Sequence, residues 1–255
     1  MLVKLIKYVF YDLLKSMWVL ATIFFYTLVV YFLTKFGKSV GKITVSYSNL
    51  SSLSLSLFSL LLSTTYLYSK RNFLEFVLAQ PVKRSVFLLS IVLSLSLSLS
   101  LSYLLGSLIP FYYFVGYSAG FLKGVLLNLF LVPLFVSLGV LSFLLIEDKV
   151  KGLGFSLFLW LFFCTIYDAL LLYAMVVLSE YPLERLFLAL TLLNPLDLLR
   201  LTVLMDVGLY ELMGFVGKWL AEYLKDLWFL SAFLSLFYTT LILFINLRIF
   251  KRRDF

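Results

Sequence analysis

Histidine is absent from the 255 residues, and cysteine occurs once, at Cys164. Without histidine the chain lacks the commonest general base and the commonest metal ligand. One cysteine makes neither a disulfide framework nor a CxxC site within the chain. Redox, zinc and Ser-His-Asp chemistry are therefore not expected, and no metal site or catalytic group is expected. Charge is scarce as well: 13% of residues are charged and 63% are hydrophobic, with a mean hydropathy of +1.08. A soluble domain carries roughly 25% charged and 45–50% apolar residues. This chain cannot cover itself with polar surface, so lipid must be its solvent.

The few charges delimit the apolar runs, and a span takes about 20 residues. The reading is an all-α polytopic membrane protein forming one transmembrane domain over 1–255. Six spans are predicted, at about 17–34, 50–69, 86–109, 124–146, 153–179 and 228–247. The run 85–122 is too long for one helix; Gly106, Pro110, Gly116 and Gly120 predict a helix end near 109 and an aromatic interfacial loop over 110–121. The first run is followed by Lys35-Phe36-Gly37-Lys38 rather than a small-residue cleavage pattern, so it is expected to remain as a span.

With the N-terminus in the cytoplasm, 13 of the 21 Lys and Arg residues fall inside, which leaves 8 outside. The positive-inside rule favours that orientation: a multi-pass cell-membrane protein with both termini cytoplasmic. The net charge of +8 then needs no nucleic acid to explain it. The stretch 186–205 is ambiguous. Asn194, Pro195, Asp197 and Arg200 make a seventh span expensive, so 180–226 reads as helices lying in or dipping into the outer interface.

Two patterns mislead. Ser and Leu alternate over 51–60 and 90–102, a period-two signal that would suit a membrane strand. The other spans are continuous apolar runs, which argues for helices. On a helix Ser52, Ser56, Ser59 and Ser63 share one face, and Ser90, Ser94, Ser98 and Ser102 form another stripe. Small hydroxyl residues let helices approach closely; packing is favoured over a weakly polar pathway wall. The sequence GKSVGKIT at 37–44 has three residues between its glycines where a phosphate loop needs four, and Ile43 where Ser or Thr should stand. ATP binding by this chain is not expected.

Four groups of residues remain as functional candidates. Residues 1–15 form a basic amphipathic helix, expected to lie along the inner leaflet as an anchor or moving elbow. In the cytoplasmic segment 70–85 a short helix over 73–80, stopped at Pro81, carries Phe73, Leu74, Val77 and Leu78 on one face. A solvated loop has little reason to keep four large apolar residues in water; docking into a partner's groove is the better account of that face, with burial in the inner interface as a further reading. Asp168 stands mid-span with Cys164 at i−4 and Thr165 at i−3, and no span offers it a basic partner; structural or gating use is expected before substrate contact. At 194–197, Asn194 as N-cap, Pro195 at N1 and Asp197 at N3 mark a helix start. The acidic, apolar stretch around it reads as a docking face or as a lid over the bundle.

Together these features resemble the ABC-2 type family of ABC transporter permeases. The residues that carry the likeness are Leu74-Glu75-Phe76, Leu78-Ala79-Gln80-Pro81-Val82 with Arg84, and Phe250 to Phe255. The C-terminal third is similar to a narrower group, the NosY-type permeases that serve nitrous-oxide reductase maturation. There the residues are Trp160, Tyr167 to Leu172, Leu193 to Leu198 with Arg200, Asp206, and Leu212 to Phe215 with Gly217. The chain departs from the ABC-2 pattern at Ser69-Lys70-Arg71 and Asn72-Phe73, before the Leu-Glu pair, and in its Ser-Leu runs.

The resemblance implies a homodimeric permease, itself no enzyme, with ATP and Mg bound by a separate cytoplasmic ABC ATPase. Phe73, Leu74, Glu75, Val77, Leu78, Gln80, Pro81 and Arg84 would couple to that ATPase. Asn194, Pro195, Asp197, Arg200, Asp206 and Gly214 would dock a β-helical periplasmic protein. The implied work is export of a sulfur-containing species, or mechanical work on the outer partner, in copper-enzyme maturation. Copper passage is disfavoured, since only Met205 and Met213 offer soft ligands near the outer face. Three rivals stand beside this reading: a generic ABC-2 exporter of a lipid or hydrophobic compound, a non-transporting assembly or anchor subunit, and a secondary transporter.

Overall fold

A computed structural model describes residues 2–37, 39–78, 80, 83–177, 183–209 and 227–252, with the side chains of 2–5, 14, 183–186 and 188 outside the described set. The described residues form helices α1 (Leu2–Leu14), α2 (Met17–Phe36), α3 (Val40–Ser69), α4 (Arg71–Leu78), α5 (Arg84–Phe114), α6 (Ala119–Leu129), α7 (Leu131–Leu145), α8 (Lys149–Leu161), α9 (Tyr167–Val177), α10 (Leu183–Leu193), α11 (Pro195–Asp206) and α12 (Leu227–Arg252). A π-helical turn, Phe162–Ile166, joins α8 to α9. Among the described residues six helices are long and apolar enough to cross a membrane: α2, α3, α5, α6 with α7, α8 through α9, and α12. The chain is an all-α polytopic membrane protein.

The spans outrun their predicted limits furthest in two places. Span two begins at Val40, ten residues earlier than expected. Ser39 caps it, its side chain accepting from the Lys42 N–H, so the glycine-lysine stretch opens a helix. The third helix runs on through Pro110 to Phe114, and the predicted aromatic loop shrinks to a turn at Val115–Ser118. A proline ring crowds the carbonyl four residues back and removes one donor. Here that carbonyl belongs to Gly106, at a close crossing where an added Cβ would stand 2.7 Å from the Ile23 oxygen. The reversal comes instead at Gly116, whose φ of +94° favours glycine.

Helix α3 is the spine of the bundle and packs against α6, α7, α8 and α11. Ser52, Ser56, Ser59 and Ser63 are all fully buried along it. At Gly139 an added Cβ would stand 2.6 Å from the Leu60 carbonyl oxygen of α3. Helix α5 sorts its Ser-Leu alternation by the helical period. Ser90, Ser94, Ser98 and Ser102 are buried while Leu93, Leu97, Leu101 and Leu105 are exposed. The hydroxyls of Ser94, Ser98 and Ser102 donate to the carbonyl four residues back, which satisfies them inside their own helix. Between α3, α5 and α6 lies a polar knot: Asn128 Nδ2 donates to Ser48 and Ser51, and the Tyr103 hydroxyl donates to Ser51.

One end of the bundle gathers α1, α4 and ends of the spans, those of α3, α5, α7, α8 and α12 among them. Lys70 pairs with Asp12 at 3.0 Å, Tyr68 donates to the Ile146 carbonyl at 2.7 Å, and Arg84 Nη1 donates to the Lys251 carbonyl at 3.3 Å. At the opposite end Lys123 pairs with Asp206 at 2.7 Å.

Candidate functional site

Helices α10 and α11 form a hairpin that enters the bundle from that opposite end. Asn194, at its turn, donates from Nδ2 to the Phe163 carbonyl at 2.8 Å. Phe163 is the middle of the fifth span. The Tyr238 hydroxyl, near the middle of α12, donates to the Leu192 carbonyl at 3.2 Å. The turn therefore lies at mid-bundle depth, and α11 returns to reach Lys123 through Asp206. Burial of Leu196, Leu198, Leu199 and Val203 against α3, α6 and α12 drives this insertion, while polar backbone is tolerated at that depth because it is buried in protein. Asn194 caps α11 as its sequence predicts, its side chain accepting from the Leu196 N–H. Asp197 instead accepts from Asn194 Nδ2 at 2.6 Å.

This hairpin brings Arg200 to Asp168. Arg200 Nη1 lies 3.4 Å from Asp168 Oδ2 and 3.4 Å from Asp197 Oδ1. Its Nε donates to Ser52 Oγ on α3 at 3.1 Å. Three helices thus meet in one charged cluster of two carboxylates and one guanidinium. Nearby, Trp160 Nε1 donates to the Leu53 carbonyl and to Ser56 Oγ, both at 3.1 Å. The buried Cys164 thiol stands 3.9 Å from Ser56 Oγ. Cys164 and Thr165 sit in the π-helical turn; such single wide turns recur at functional sites.

Beside the cluster is a cavity of about 710 Å3, lined by residues that include Trp160, Cys164, Thr165, Asp168, Asp197 and Arg200. Two sets of residues that the sequence separates, the intramembrane Asp168 group and the outer Asn194 group, therefore belong to one site. Asp168 has a basic partner in Arg200, supplied by a helix that is not a span. One expectation is corrected. Asn194, Pro195, Asp197 and Arg200 are turned into the bundle, so they present no outer docking surface; of that set Asp206 stands at the far end, and Gly214 lies outside the described residues. Sequence reasoning missed Asn49, which also lines the cavity, and the contact of Ser52 with Arg200, because both look like ordinary members of a serine-rich helix. Among the described residues no three of His, Cys, Asp or Glu stand together as a metal site.

At the other end α4 is shifted two residues earlier than predicted, to Arg71–Leu78. Leu74 and Val77 are buried in the core, and the Phe73 ring stacks on Tyr8 of α1 with centroids 5.6 Å apart. That apolar face is covered by the chain itself. The outward face is Asn72, Glu75 and Phe76, with Phe76 66% exposed. Arg71 pairs with Glu75 at 3.1 Å. Gln80 is exposed, Arg84 bonds α12, and Pro81 lies outside the described residues.

Fold and site together define a multi-pass membrane protein with a charged cluster held at mid-bundle by a re-entrant helical hairpin. Compared with known proteins, the chain matches no family model and no curated sequence.

Proposed function

We propose that the chain is the transmembrane permease subunit of an ABC transporter. It works as a homodimer with both termini in the cytoplasm and with ATP and Mg on a separate ATPase. The observation that carries this reading is α4. A short helix between spans two and three is anchored in the bundle through Leu74 and Val77 while Asn72, Glu75 and Phe76 point away. It stands at the bundle end where α1 and the C-terminal end of α12 gather, and where Lys and Arg are concentrated. A helix held that way passes a push from a docked subunit directly into α3 and α1.

The finer proposal is a NosY-type role, with ATP hydrolysis serving export of a sulfur-containing species or mechanical work on a β-helical outer protein in copper-enzyme maturation. The likeness over Tyr167 to Leu172 and Leu193 to Leu198 supports it. A second reading, a generic ABC-2 exporter of a lipid or hydrophobic compound, is favoured by the cavity of about 710 Å3 beside the fifth span.

Purification of the tagged protein from its native membrane, with co-purifying chains identified by mass spectrometry, tests these readings. An ATPase with a secreted β-helical protein supports the NosY-type role, and an ATPase alone supports the general exporter. Absence of any ATPase removes the ABC reading. Phe76→Asp is expected to release the ATPase from a normally folded permease; undiminished co-purification would refute the assignment of α4.

A further inference from the structure

The cavity between the re-entrant hairpin and the fifth span measures about 710 Å3, within the range that encloses a drug-sized molecule. Most of its wall is apolar, formed by Leu53, Leu171, Leu172, Phe187, Leu201 and Leu204. Its charge is concentrated at one place. Among the described residues that line it, two are acids and one is a base.

The base is already committed. Arg200 gives Nε to Ser52 and shares Nη1 between Asp168 and Asp197, and its side chain is 18% exposed. Asp197 is 12% exposed and also accepts from Asn194. Asp168 is the accessible member, 41% exposed, and meets the guanidinium through one oxygen, Oδ2. A guanidinium shared by two carboxylates has little attraction left for an anion. Burial, then the adjoining Asp168 carboxylate, push Asp197 up to about 7, so the cluster's surplus negative charge is present above about pH 7; there it attracts a cation, the more strongly where apolar walls keep the dielectric low. Aromatic rings in the same wall, Trp160 and Phe187, favour a cation too. A bare metal ion would leave the leucine wall uncovered, whereas an organic body would cover it.

We infer that this cavity is a binding site for an amphipathic organic monocation, its charged head at Asp168 and its apolar body along the leucine wall of α9 and α11. The site gives the exporter reading a ligand class but does not rest on it, because binding is measured on this chain alone, without an ATPase.

The probe is tetraphenylphosphonium, with tetraphenylborate as a control of matching shape and opposite charge. Equilibrium dialysis against the purified full chain in detergent is expected to show saturable phosphonium binding, at least about tenfold tighter than borate. Asp168→Asn keeps the side-chain shape, removes the charge, and should weaken the phosphonium by about tenfold or more. Equal affinity for the two ions, or unchanged phosphonium binding by Asp168→Asn, would overturn the proposal. Leu172→Trp is the independent variant, since it narrows the cavity at an exposed wall position and leaves the charges alone. It should lower phosphonium binding; full saturable binding by this variant would locate the ion elsewhere on the chain and overturn the proposal, even if Asp168→Asn failed to fold.

Discussion

Arg200 Nη1 stands 3.4 Å from Asp168 Oδ2, across 32 positions of sequence and between two helices of which only one is a span. Removing the guanidinium would leave two carboxylates facing each other in a poorly hydrated place. Breaking a fully buried pair costs about 3–5 kcal/mol; with Asp168 partly exposed, a loss of about 1–3 kcal/mol is expected for Arg200→Gln. Thermal unfolding in detergent measures it. The double variant Asp168→Asn/Arg200→Gln should lose less than the two single losses added together. Simple additivity would show that the two residues do not interact.

The two faces of α4 should respond differently. Leu74 is 2% exposed and Phe76 is 66% exposed. Leu74→Ala is expected to cost about 2–4 kcal/mol, as large-to-small changes in packed cores do. Phe76→Ala should change stability by about 0.5 kcal/mol or less. Comparable melting temperatures for the two variants would mean that α4 is not packed on the bundle.

Neighbouring positions on α5 make a similar contrast. Ser98 is buried and Leu97 is 48% exposed. Ser98→Leu inserts a large side chain where α5 meets its neighbours, at an expected cost of about 1–3 kcal/mol. Leu97→Ala faces the lipid side and should be nearly silent. Stability that falls with Leu97→Ala and not with Ser98→Leu would reverse the assigned faces.

Glycine positions test the helix crossings. At Gly139 a Cβ would come within 2.6 Å of the Leu60 carbonyl oxygen, and at Gly154 it would meet open space. Gly139→Ala should destabilise by about 1–3 kcal/mol through forced separation of α3 and α7. Gly154→Ala should be neutral or slightly stabilising, since alanine favours the helix by up to about 1 kcal/mol. Equal tolerance at both sites would argue against the close crossing.

Much of the fold was legible because each apolar run is its own evidence. A helix in lipid satisfies its backbone internally, so a long run with few charges reports a span without reference to any other part of the chain. The Ser stripes were readable for the same local reason, since spacing along one helix decides which hydroxyls share a face. The Asn194-Pro195 helix start was equally local. Pro110 was harder to read. Whether a proline ends a helix depends on what stands four residues back and on what packs there, and Gly106 against Ile23 is a contact between helices.

By itself, then, the sequence determined an all-α membrane protein of six spans, a basic amphipathic leading helix, a short helix after span two and a capped helix at 195. All of these follow from hydropathy, period and capping within single segments. Only the tertiary structure decided that the hairpin around Asn194 plunges to mid-bundle instead of lying on the outer face. It alone joined Arg200 to Asp168, and it buried Leu74 and Val77 in the chain's own core. The physical reason is the same in each case. A charge or an apolar face states that a partner is needed, and the packing of other helices decides which partner arrives.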